Sequence, residues 1–180
     1  MAHWEFELVL SGFTVDFEQA TDALFEAGCD DCTITQVGTT PILAFGRDAP
    51  TFRKAIESAL SDVKHANVVE RVVRVLPDDL VTASDIHRRS GITKEMVRRY
   101  ASGERTRGDF PAPVAMLEKQ KLWSWFEVSS WFVQGAGQHR VSVDDVETAR
   151  VLANVNDVLA RTRGTRRNDE IAELARSLAL

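Results

Sequence analysis

The chain changes character at Leu76-Pro77-Asp78-Asp79, and this break constrains the fold more than any other feature. A proline followed by two acids interrupts helical and strand patterns alike. The two sides also differ in charge: residues 1–80 carry 6 basic against 14 acidic side chains, a balance of −8, whereas residues 81–180 carry 16 against 13, a balance of +3. At 180 residues the chain has room for one ordinary domain or two small ones, and the break favours two. With 44% apolar and 27% charged residues, it can bury a core and lacks the composition of a disordered protein.

Before the break, strands and helices alternate. Trp4, Phe6, Leu8 and Leu10 alternate with Glu5 and Glu7, the period-2 pattern of a half-buried strand. Residues 16–28 place Phe17, Ala20, Leu24 and Ala27 at helical spacing. Residues 32–36 and 41–45 are β-prone runs joined by a Gly38-containing turn, which predicts a hairpin. Phe52, Ile56, Ala59, Leu60 and Val63 form one stripe over residues 48–64, an amphipathic helix, and the valine-rich residues 68–76 close the set as a strand. The order β-α-β-β-α-β is that of a ferredoxin-like sandwich. The expected organisation is an acidic α+β domain over 1–76, a linker at 77–79, a second domain over 80–135 and a helical tail over 140–180.

After the break, Thr82 with Asp85 three residues on matches a capping box, and Gly91 stops a short helix. Thr93 caps a second helix that ends near Gly103. Two short helices joined by so tight a turn predict a helix-turn-helix whose buried contacts are Ile86, Ile92 and Val97. Met96, Val97 and Tyr100 face inward on the second helix, leaving Lys94, Glu95, Arg98 and Arg99 outward. Between Arg88 and Arg107 seven basic residues meet only Glu95 and Glu104, a net +5 in twenty residues. Cations on a helix of this kind suit phosphates and the acceptor edges of guanine. Phe110-Pro111-Ala112-Pro113 excludes helix and predicts an extended lead into a wing, which closes at residues 121–125 with Trp123 and Trp125 on one strand face. A helix carrying Val128, Trp131 and Phe132 follows.

Four segments in order, 80–86 (LVTASDI), 91–100 (GITKEMVRRY), 110–114 (FPAPV) and 122–131 (LWSWFEVSSW), resemble bacterial MerR-like winged helix-turn-helix proteins of the AlpA and excisionase type. The position before Glu127, commonly Ser or another capping residue in that group, is Phe126 here. More loosely, 28–31 (GCDD), 45–49 (FGRDA) and 55–63 (AIESALSDV) look like a module that accompanies such domains in uncharacterised bacterial proteins. The resemblance implies double-stranded DNA as partner; no cofactor is expected. Lys94, Arg98 and Arg99, with Glu95 on the same outward face, would enter the major groove, Thr93 and the N-terminal amides of that helix would touch phosphate, and Arg88, Arg89, Arg105 and Arg107 would lie on the flanking backbone. It also implies a homodimer, and the stripe Val151, Leu152, Val155, Val158 and Leu159 on a helix over 143–163 is the candidate seam. The alternative is that this helix, and a shorter one over 168–178, pack on their own chain.

The expected function is sequence-specific DNA binding as a transcriptional regulator. An excisionase-like architectural protein and a partner-binding protein acting through residues 1–76 are the alternatives. Cys29 and Cys32 have C-x-x-C spacing, but a metal needs about four ligands, and no second pair or nearby His supplies them. No catalytic or metal-binding residues are assigned, because no nucleophile elbow, P-loop, dinucleotide or zinc-protease motif occurs. No long apolar run or basic leader is present, so a cytoplasmic protein without a membrane partner is expected.

Overall fold

The structure is a computed structural model that describes residues 1–104, 110–118, 120–135 and 139–162. Within them it is a mixed α+β protein of six helices and seven strands. Chain contacts divide it into Met1–Pro77 together with the chain from Asn154, and Asp78–Ala153 by itself.

The first unit contains β1 (Ala2–Leu10), α1 (Phe17–Glu26), β2 (Cys32–Val37), β3 (Thr40–Ala49), α2 (Phe52–Ala66) and β4 (Val72–Leu76). Its sheet runs β2-β3-β1-β4 with every neighbouring pair antiparallel. Alternation along β1 and β3 puts Phe6, Leu8, Leu10, Leu43 and Phe45 on the buried face. The Phe52 ring of α2 meets Phe6 edge-on on that face. Ala55, Ile56, Ala59, Leu60 and Val63 extend the same apolar stripe.

Several boundaries differ from expectation for a tertiary reason. The register pairs Ala2 with Ala49 and continues inward, so β3 runs through Gly46, Arg47 and Asp48. A helix therefore starts only at Thr51, whose hydroxyl accepts the Lys54 amide. Phe17, expected in the core, is exposed. Residues 68–71, expected as strand, contribute only one isolated bridge, from Val69 to Phe13.

Arg47 points into the buried face, and three segments close around its side chain. Its Nε and Nη2 donate to Asp31 at 2.7 and 2.8 Å, Nη1 donates to Asp62 at 2.7 Å and to Ser58 at 3.0 Å, and Nη2 donates to the Gly28 carbonyl at 3.0 Å. The guanidinium carbon also lies 5.0 Å from the Phe45 ring centre. Burial works against its charge, but hydrogen bonds to the two carboxylates outweigh burial and hold it above the ordinary arginine range. The three front segments singled out in the sequence meet at this one side chain. On the sheet edge, Asn156 accepts from the Val75 amide at 2.8 Å and donates to the Val75 carbonyl at 3.0 Å. A buried side-chain amide thus satisfies backbone groups that an edge strand leaves open.

The second unit contains β5 (Leu80–Val81), α3 (Ala83–Ser90), α4 (Lys94–Ala101), β6 (Ala115–Leu117), β7 (Gln120–Ser124), α5 (Trp125–Val133) and the start of α6 (Val143–Arg161). Its sheet order is β5-β7-β6. Val81, Ile86, Val97, Trp123, Trp125, Val128, Phe132, Val141 and Ala149 form its core.

Two expectations are corrected here. Trp125 does not share a strand face with Trp123: it opens α5, and Ser124 caps that helix by accepting the Glu127 amide. The capping hydroxyl stands two residues before Phe126, which resolves the departure at that position. The apolar stripe of α6 is not open to a partner, because Val151, Leu152, Val155 and Leu159 are buried within the single chain and Val158 is half-buried. An apolar face tethered near its own core is covered intramolecularly without the entropy cost of association. The helix expected over 168–178 lies outside the described residues. No described helix is long and apolar enough to cross a membrane.

Candidate nucleic-acid interface

Local chemistry fixes the two helices. The Thr82 hydroxyl accepts the Asp85 amide at 3.2 Å, while the Asp85 carboxylate accepts the Thr82 amide at 2.9 Å and its hydroxyl at 2.7 Å. Partial burial opposes ionisation of Asp85, but the Thr82 hydrogen bonds and the charges of Arg88 and Arg89 outweigh it and lower the carboxyl's pKa. Gly91 ends α3 at φ +80°, a conformation that costs glycine little. A Cβ there would stand 3.2 Å from Arg140 Nε. Buried Ser90 ties the turn by donating to the Ile86 carbonyl at 2.5 Å and accepting from the Ile92 amide at 3.3 Å. Thr93 then caps α4 by accepting the Met96 amide at 3.2 Å.

Only Val97 of α4 is fully buried, and Met96 and Tyr100 are half-buried. Tyr100 anchors the helix against Phe110 and Trp131 at ring separations of 6.0 and 4.9 Å. Lys94, Glu95, Arg98 and Arg99 are all exposed, as is the capping Thr93. Arg98, with a side chain 81% exposed, and Arg99 reach Glu95 at 3.3 and 3.5 Å. Ion pairs so open to water are worth about 0–1 kcal/mol, so one shared carboxylate leaves most of their attraction for phosphate in place.

The flanking arginines divide. Arg88 is exposed and touches Asp85 at 2.5 Å. Arg89 is taken up by its own unit: it donates to the Asp78 carbonyl at 3.0 Å, and its guanidinium carbon lies 5.2 Å from the Trp125 ring centre. Burial lowers its pKa despite the opposing pull of Asp85. Arg105 and Arg107 lie outside the described residues.

A groove of about 500 Å³ runs between these elements. Thr82, Ala83 and Ser84 line it from the first turn of α3, Lys94, Arg98, Ala101 and Ser102 from α4, and Gln120, Lys121 and Trp123 from β7. Residue spacing within α4 brought out Lys94 and Arg98 but not Ser84, Gln120 or Lys121. The only sign of the last was its alternation with Trp123, which shows the strand face and not what that face opposes.

The chain matches no family model, no curated protein and no solved structure. Among the described residues no group of three or more His, Cys, Asp or Glu is placed to hold a metal. Burial, helped by neighbouring negative charge, pushes the thiols of Cys29 and Cys32 up to about 12 and about 11, so both are protonated at neutral pH and are poor nucleophiles.

Proposed function

We propose that the protein binds double-stranded DNA through Asp78–Ala153 and acts as a sequence-specific transcriptional regulator. One observation carries this: α4 spends a single fully buried residue on its own core and turns Lys94, Arg98 and Arg99 outward from a tight two-helix turn. A helix so presented suits the major groove, where arginine pairs with guanine O6 and N7. The MerR-like winged arrangement is supported by the β6–β7 hairpin that follows α4. The ferredoxin-like assignment of residues 1–76 is supported by the strand order β2-β3-β1-β4.

Gel shifts on random duplex at rising salt test the binding itself. Contacts with several phosphates give a steep negative slope of log affinity against log salt, and a flat response rejects DNA in favour of an acidic protein partner. A second function on the same surface is an architectural, excisionase-like one. It is favoured by the burial of the α6 stripe, which removes the expected seam for the two-fold symmetry that a palindromic operator mirrors. Footprinting separates the two: a palindrome supports the regulator, and tandem sites support the architectural protein.

A further inference from the structure

We propose that the face of the first unit's sheet turned away from Phe6, Leu8 and Leu10 is the seat of the chain's own C-terminal segment, residues 163–180. The seat does not depend on DNA binding.

The register lays this face out. Val9 stands between Ile42 of β3 and Arg74 of β4, and Glu7 between Ala44 and Leu76. Thr35 and Thr33 continue the two rows onto β2. Val9, Ile42, Ala44 and Leu76 are half-buried, so an apolar band crosses the sheet opposite its closed core. Beside it the face sinks into a trough of about 750 Å³, where Ala44 and Gly46 leave space and Glu5 and Glu7 stand at the border. No cation lines the trough, and its third acid, Asp31, is held by Arg47.

The end of the chain matches this face in reach, length, pattern and charge. Asn156 holds both the amide and the carbonyl of Val75, next to Leu76 of the trough, and α6 ends at Arg161, five residues on. Eighteen residues follow Thr162. Four strands span about 14 Å, and the eleven residues 168–178 as a helix span about 16 Å. Ile171, Leu174, Ala175 and Leu178 recur at helical spacing, one apolar stripe for one apolar band. The segment opens with Arg163, Arg166 and Arg167 and carries four arginines against three acidic side chains, opposite in sign to Glu5 and Glu7. A segment tethered through α6 meets its seat at an effective concentration on the order of millimolar, which favours it over a second copy.

Methyl NOEs in the full-length protein test the contact: Ile171, Leu174 or Leu178 should show cross-peaks to Val9, Ile42 or Leu76. Trypsin should cut slowly at Arg163, Arg166 and Arg167, and Leu174→Asp should speed those cuts roughly tenfold, because cleavage follows the open population. Glu5→Gln combined with Glu7→Gln should speed them less, by a factor that shrinks as salt is raised. Cuts as fast in the unsubstituted protein as in a free peptide of residues 163–180, with no such cross-peaks, overturn the seat. Cross-peaks found only between differently labelled chains give the face to a second copy and overturn it as well.

Discussion

Arg47 and Arg98 are the same residue type in opposite settings. Arg47 is 7% exposed and meets two carboxylates, a hydroxyl and a carbonyl at hydrogen-bond distance. Arg98 stands in water and shares Glu95 with Arg99. A guanidinium removed from water must have its charge and its donors satisfied by the protein. Once satisfied, it has nothing left for a partner. An arginine in water keeps its donors, gains little from a surface pair, and can exchange water for phosphate. Arg89, held by the Asp78 carbonyl and the Trp125 ring, belongs with Arg47 although it lies within the basic run.

The largest expected effect breaks the buried case. Arg47→Ala strands Asp31 and Asp62 without their counter-charge and should cost roughly 3–5 kcal/mol in urea unfolding; a loss below about 1 kcal/mol would mean the carboxylates find water easily. Arg98→Ala sharpens the contrast, with stability held within about 0.5 kcal/mol and duplex affinity reduced by about 1–3 kcal/mol. Arg89→Ala tests the intermediate case: unfolding free energy should fall by about 1–2 kcal/mol while the salt slope of DNA binding is unchanged. A slope that flattens would return Arg89 to the phosphate contacts.

Two smaller effects concern the scaffold that aims α4. Thr82→Ala removes both the cap and the hydroxyl donor to Asp85, for about 1 kcal/mol by thermal unfolding. Acid should loosen the same box. Because the folded Asp85 carboxyl is depressed below its ordinary value, its contribution is fully present above the unfolded value near pH 4 and is lost as pH falls through the folded one. Protection of the Thr82 and Asp85 amides, measured against the intrinsic exchange rate at each pH, should therefore fall on acidification, and Thr82→Ala should shrink that fall.

Much of the architecture was legible because its signals are local. Thr82, Asp85, Gly91 and Thr93 act on amides within four residues, and such caps read the same in a sequence as in a fold. The alternation of β1 and the stripe of α2 survive for the same reason. What failed to read involves partners far along the chain: the length of β3 depends on Ala2 opposite Ala49. The groove was only half visible, since Lys94 and Arg98 lie on one helix while Lys121 and Trp123 come from a strand some twenty residues later.

Sequence alone determined where α3 and α4 begin and end, and that the basic residues concentrate after the break, because capping and charge density are properties of neighbouring residues. Only the tertiary structure decided which cations stay in water, that the α6 stripe is covered at home, and that Lys121 joins Lys94 and Arg98 along one groove. Burial and hydrogen-bond satisfaction depend on what other segments bring to the same point, and no window of sequence contains that.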